Sequence, residues 1–267
     1  MKTNIFILAL ILLVGSAKAG PIEDAVSAYE RNYYATAARL FRPIALRGES
    51  YSQYALGTMY ANGKGVVQDY EEAVKWYRMA AAQGNASGQY SLGSMYEKGR
   101  GVEKNNAEAV KWYRLAAVQG NAYSQSHLGF LYFHGDGVVQ DDAEAAKWYR
   151  LAAMKGDVLA QSPLGVMYEL GRGVGQDFAE AVRWYRLAAA QGDATAQLNL
   201  GVMYGTGKGI PVDYVRAHMW GNLAAANGNV KAVKFRDLVA SQMTPQLIGE
   251  AQKLARECQA RNLKGCD

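Results

Sequence analysis

The chain has 267 residues, half of them hydrophobic, with 29 lysines and arginines against 24 acids, for a formal charge of +5. So mild a surplus lacks the dense basic patch of a nucleic-acid binder, and that class is set aside. Length alone allows one or two globular domains, and periodicity has to decide between them.

Met1 to Gly20 reads as an export signal. Lys2 supplies the positive start, Ile5 to Val14 an apolar run, and Ala17-Lys18-Ala19 the small-x-small pattern cut before Gly20. The run is shorter than the roughly 20 residues that span a bilayer, and no cysteine near the cut could take a lipid. The expectation is a periplasmic or secreted chain with no stable membrane insertion after cleavage of residues 1–19; an uncleaved anchor is the alternative. Cleavage would remove two lysines and no acid, leaving +3.

Residues 20–48 are expected to form an N-terminal helical cap. Tyr34 to Gly48 resembles a lone copy of the second helix of the repeat that follows, with Phe41 and Gly48 in the phases of Tyr77 and Gly84.

From residue 49 the chain repeats every 36 residues. Leu-Gly recurs at Leu56, Leu92, Leu128, Leu164 and Leu200, tyrosine at Tyr60, Tyr96, Tyr132, Tyr168 and Tyr204, and all five tryptophans (Trp76, Trp112, Trp148, Trp184, Trp220) share one phase. Self-similarity at such a period is the signature of a repeat architecture. The repeats run 49–84, 85–120, 121–156, 157–192 and 193–228. Each reads as helix A (about 50–62 in the first), a loop with a glycine pair, and helix B (about 70–83), closed by one glycine. Asn85, Asn121, Asp157, Asp193 and Asn229 stand where they would cap the next helix. Asp69 with Glu72, Asn105 with Glu108, Asp141 with Glu144 and Asp177 with Glu180 have the spacing of reciprocal capping boxes, which Arg216 breaks in the fifth repeat. Helices of about a dozen residues are marginal alone and need stacked neighbours.

The string LGTMYANGKGVVQDYEEAVKWYRMAAAQG and its four copies resemble the Sel-one-like repeats, relatives of the tetratricopeptide repeats. The resemblance spans 49–228. It implies an all-α fold: antiparallel helix pairs stacked into a right-handed superhelical solenoid, with helix A lining the concave side and helical caps at the ends. It further implies a non-enzymatic adaptor or scaffold for a protein or peptide partner. A secreted cysteine-rich branch of the family binds or slowly hydrolyses penicillin-like compounds, but that branch has a cysteine pair in each repeat, and this chain has only Cys258 and Cys266. An envelope enzyme or binder acting on peptidoglycan or β-lactams is therefore the alternative.

Comparing copies separates fixed from variable faces. Gln53, Leu56, Gly57 and Tyr60 recur at i, i+3, i+4, i+7 and read as packing, the glycine marking a close helix approach. Trp76, Tyr77, Ala80 and Ala81 read as core on helix B. The positions of Ala55, Thr58 and Asn62 vary from copy to copy. In the third and fourth repeats they carry an apolar patch: Phe130, Phe133, His134, Val166 and Leu170, with His127 beside it. This patch is the candidate partner-binding surface; the alternative is that these side chains fill space between helices. Pro163, six positions into its helix, predicts a late start or a kink.

No nucleophile elbow, phosphate-binding loop, zinc signature or dinucleotide fingerprint occurs, so no catalytic, cofactor or metal residue is assigned. His127 and His134 would share a helix face, but a third metal ligand is not evident. Lys75/Arg78, Lys111/Arg114, Lys147/Arg150 and Arg183/Arg186 form a basic ridge on helices B, read as solvated and paired with glutamates one turn earlier on the same helix; an acidic polymer is the alternative use of it.

Residues 229–267 are expected to cap the array with helices over Lys231–Ala240 and Gln246–Arg261, the second opened by Thr244-Pro245. A Cys258–Cys266 disulfide, expected in an oxidising compartment, requires that helix to end near Asn262 and the chain to turn back through Gly265, because eight residues of helix would hold the two cysteines about 12 Å apart.

Overall fold

The computed structural model describes residues 20–266. They hold fourteen helices and no strand, in two compact units: one through Gly88 together with Arg100–Glu103, the other Gln89–Gly99 with Lys104 onward. The first contains α1 (Pro21–Glu30), α2 (Tyr34–Leu46), α3 (Ser50–Asn62) and α4 (Tyr70–Ala82). Helix α5 (Ala86–Lys98) begins in it and continues into the second. The second also contains α6 (Asn106–Val118), α7 (Ala122–His134), α8 (Asp142–Ala153), α9 (Val158–Leu170), α10 (Phe178–Ala189), α11 (Ala194–Thr206), α12 (Tyr214–Ala226), α13 (Val230–Ala240) and α14 (Pro245–Ala260). This is the all-α solenoid that the period predicts. Helices A are α3, α5, α7, α9 and α11, and helices B are the five that follow them.

The local signals act as expected at the start of each helix. Asn121, Asp157, Asp193 and Asn229 accept from backbone amides of α7, α9, α11 and α13. Asp69, Asn105, Asp141 and Asp177 accept from the amides of Glu72, Glu108, Glu144 and Glu180 at 3.0 Å. The reciprocal half of the capping box is not formed. The amides of Asp69, Asn105, Asp141 and Asp177 donate to the carbonyls of Tyr60, Tyr96, Tyr132 and Tyr168 at 2.9–3.0 Å, which folds the glycine loop back onto helix A. The freed glutamates take Lys75, Lys111, Lys147 and Arg183 instead. Asp213 still caps α12 through the Arg216 amide at 2.8 Å, and its other oxygen pairs with the Arg216 guanidinium.

The basic ridge is therefore split. Its outer members are exposed ion pairs on their own helix, which add little stability. Arg42, on α2 before the ridge, bonds to Tyr60 in the first unit; in the second, the ridge arginines Arg114, Arg150 and Arg186 reach onward in the same way to the hydroxyls of Tyr132, Tyr168 and Tyr204. Own-helix pairing, expected for every member, is replaced at Arg114 and Arg150, which stand six residues after Glu108 and Glu144, beyond the three- or four-residue spacing at which helix neighbours meet.

The fixed faces are packing. Trp76, Trp148, Trp184, Trp220, Tyr77, Tyr113, Tyr149 and Tyr185 are buried and Trp112 is half-buried. Gln53 in the first unit, and Gln125, Gln161 and Gln197 in the second, donate to carbonyls of the preceding helix B or its counterpart. A Cβ on Gly129 would stand 2.6 Å from the Tyr149 ring, and the same holds for Gly165 and Tyr185, so the recurrent glycine does mark a close approach. The late start expected of α9 is not found. That helix begins at Val158, immediately after its Asp157 cap, and continues past Pro163 to Leu170.

At the C-terminus the ladder changes. Gly221 stands in the phase of the tyrosines, and Phe235 of α13 occupies the vacated space beside Gly201 and Gly221. Met219 and Leu223 of α12 are buried in one cluster with Ala255 and Cys258 of α14. Helix α14 ends at Ala260, and Asn262, Leu263 and Gly265 take positive φ values of 51°, 63° and 62°. The turn brings Cys258 and Cys266 to disulfide distance, with Cα atoms 5.3 Å apart. No described helix is long and apolar enough to cross a membrane. The export signal, Met1 to Ala19, lies outside the described residues.

Candidate functional site

Helices α7 and α9 of the second unit frame a cavity of about 300 Å³, lined by Glu97, Ser126, His127, Phe130, Tyr149, Leu159 and Pro163. Its position follows from the variable face of helix A: where other copies have alanine, serine or asparagine, α7 presents His127 and α9 presents Pro163. Most of the wall is apolar. The ionised group is Glu97, near the end of α5.

Glu97 is held from two sides. The Tyr113 hydroxyl donates to its Oε2 at 2.6 Å, and His127 Nδ1 lies 3.1 Å from the same oxygen. The imidazole is packed between rings, 4.9 Å from Tyr113 and 5.7 Å from Tyr90 between centroids. Burial pushes the Glu97 carboxyl up, but the hydrogen bonds from His127 and Tyr113 and the electrostatic interactions with His127 and Lys98 outweigh it, so the group is held below its ordinary range. Burial, with the Glu97 charge, pushes the Tyr113 phenol up, and burial does the same to Tyr149. Tyr113 is therefore a hydrogen-bond donor at neutral pH and Glu97 a fixed anion. Ser126 bonds to Asp157, which places a second carboxylate behind the cavity wall while Asp157 caps α9 through the Leu159 amide at 3.0 Å.

Four of the six residues of the expected patch are linked, His127 to Phe130 through the cavity they line, Phe130 to His134, and His134 to Phe133 with ring centroids 5.1 Å apart. His127 and Phe130 line the cavity. Phe130 is 45% exposed, and His134 stacks on it at 4.3 Å. Phe133 lies under the Arg172 guanidinium, 4.0 Å from its ring centroid, and Asp142 holds that guanidinium with two bonds of 2.8 and 2.9 Å. Val166 packs against the core of the C-terminal half. Leu170 is 57% exposed and outside the cavity lining. Among the described residues no cluster of three or more His, Cys, Asp or Glu side chains suits a metal.

Glu97, Ser126, Tyr149 and Leu159 were missed by reading the sequence, whereas Pro163 stands at a variable position already identified, in the phase of Ala55. A signal existed for two of them. The phase of Glu97 holds Ala61, Phe133, Glu169 and Gly205 in the other copies, and that of Leu159 holds Tyr51, Ser87, Tyr123 and Thr195; both vary as much as the positions chosen. Ser126 and Tyr149 enter through their neighbours and carry no comparable mark. A second cavity of about 270 Å³ lies by the C-terminal turn, between Gln191, Leu223, Asn227, Gln259 and Leu263 among others. It contains no ionisable group, so its chemistry is that of amides alone.

The Sel1 repeat profile matches residues 50–85, 86–121, 122–157, 158–193 and 194–229. A crystal structure of a Sel1 repeat protein from Oxalobacter formigenes is 38% identical, with a TM-score of 0.76 over 82% of this chain and 87% of that one. The structure of c5321, a protective antigen present in uropathogenic Escherichia coli strains and displaying the same repeat fold, is 32% identical, with a TM-score of 0.80. That match covers 91% of this chain but 56% of the antigen. No curated protein matches.

Proposed function

The chain belongs to the Sel1 repeat family, whose members are generally protein-interaction scaffolds, and from that premise we propose that it is a non-enzymatic adaptor of the cell envelope that holds a peptide or protein partner on the helix A face of its second unit. One observation carries the reading: the fixed faces of both helices are consumed by packing, whereas the variable face opens a cavity walled by His127 and Phe130. Variation on a fixed frame at an apolar, accessible cavity is where a repeat protein recognises its partner. The envelope assignment is supported by the signal-like Met1 to Ala19 and by the relative described as a protective antigen.

The test uses the full chain expressed in a Gram-negative host. A photoreactive residue at Leu170 or Leu159 should crosslink a partner in the envelope fraction, identified by mass spectrometry, and Phe130→Ser should reduce that capture at least about tenfold, as loss of a central apolar anchor does. Helical content and thermal midpoint should stay near those of the parent chain. Undiminished capture by Phe130→Ser, or recovery of the chain with Met1 to Ala19 intact in the cytosol, would count against the proposal.

A further inference from the structure

The cavity's chemistry narrows the partner further, on the reading just given of this face as the partner surface. We infer that the cavity receives one basic side chain, lysine or arginine, from the bound peptide. The wall made by Phe130, Leu159 and Pro163 suits an aliphatic stem, and a volume of about 300 Å³ has room for one long side chain. Beyond that wall stands Glu97. Its two described hydrogen bonds both end on Oε2, which leaves Oε1 to accept from an incoming cation. Asp157, behind Ser126, adds a second negative charge close by. The lining contains no lysine or arginine; Lys98, the lysine acting on Glu97, is exposed and is not one of the lining residues.

The choice between a basic and a purely apolar occupant rests on desolvation. An apolar side chain filling the cavity would strip water from the Glu97 carboxylate, whose bonds from Tyr113 and His127 both end on Oε2, and leave Oε1 facing hydrocarbon, which is costly for a charged group. A basic side chain covers the same apolar wall with its methylenes and pairs the carboxylate with its head, the usual way in which long cationic side chains lie on a mixed surface. The Phe130 ring offers a further favourable contact to a cation.

Capped alanine pentapeptides carrying lysine, norleucine or phenylalanine at the centre are titrated into isotope-labelled full chain, following the resonances of His127, Phe130 and Leu159. The lysine peptide should bind at least about tenfold tighter than the norleucine peptide. Added salt should erode that advantage without weakening the norleucine peptide, and Glu97→Gln should remove it. The salt series on the parent chain decides the matter even if the Glu97→Gln substitution disturbs packing. Norleucine or phenylalanine binding as tightly as lysine, with no salt effect, overturns the basic-side-chain inference and leaves the partner surface standing. Failure of all three peptides to shift these resonances, together with undiminished crosslinking by Phe130→Ser, overturns both.

Discussion

His218 shows how one residue can depart from the repeat and leave a measurable trace. Its phase holds Val74, Val110, Ala146 and Val182 in the other copies, and the imidazole is buried with Nδ1 lacking a hydrogen-bond partner. Burial lowers its affinity for protons, Arg236 lowers it further, and Asp237 opposes only in part. The unfolded chain thus binds this proton more readily than the folded one. The stability contributed is complete above the ordinary imidazole range and is lost as the pH falls through it. His218→Val should raise stability by about 1–3 kcal/mol at neutral pH, the usual cost of a buried unsatisfied polar group. It should also flatten the loss between about pH 7.5 and about pH 5.5, where imidazoles titrate, in urea denaturation at the two pH values. An unchanged slope would mean that other groups set the acid response. That His218 feels the charge of Arg236 depends on where α13 packs.

Helix α9 tests the cost of a proline at the scale of an element. Pro163 removes one amide donor from the interior of the helix, yet α9 starts and ends in the same phase as α7 and α11. The cap at Asp157, the buried Leu164 and Met167 and the neighbouring helices together outweigh the lost bond. The late start that the sequence rule allows is not taken, because the rule describes an isolated helix whereas α9 is capped by Asp157 and packed against both α8 and α10. Pro163→Ala restores the donor and should raise stability by about 1–3 kcal/mol, at or below the intrinsic penalty of proline in a helix interior. Equilibrium urea denaturation measures this, and unchanged or lower stability would show that the pyrrolidine ring contributes packing worth as much as the missing bond. The exchange of Tyr for Gly221, with Phe235 filling the gap from α13, is the same lesson in reverse: a break in the pattern is repaired by an element that the pattern does not describe.

Over the whole molecule, an array of helix pairs needs its last apolar face covered. Met79, Leu115, Leu151 and Leu187 share a phase on the outer side of helices B and are 39–47% exposed, whereas Leu223, in that phase on α12, is 1% exposed. Met219 replaces the lysine or arginine of the earlier copies and is equally buried. Helix α14 provides the cover, and Cys258 and Cys266 tie its end back. Replacing both cysteines by serine should cost about 2.5 kcal/mol in the chain-entropy model for a ring of this size. Hydrogen exchange should quicken first in α14 and then in α12. A loss spread evenly over the array would show that the cap is not the element held by the pair.

Period, the helix pairs of the repeats, their N-cap residues, the buried aromatic ladder and the terminal turn were legible in the amino-acid sequence, because each depends on residues within one or two turns of each other or on a pattern copied five times. Tertiary structure alone decided which side chains from different helices meet. It brought Glu97 of α5 to His127 of α7 and Tyr113 of α6, covered Phe133 with Arg172, and sent the arginines to tyrosines on the next helix instead of to their own glutamates. Those outcomes follow from competition among neighbouring helices for a few polar partners. A repeat pattern records that a position varies, but its new contact is set by the side chains that face it across the helix interface.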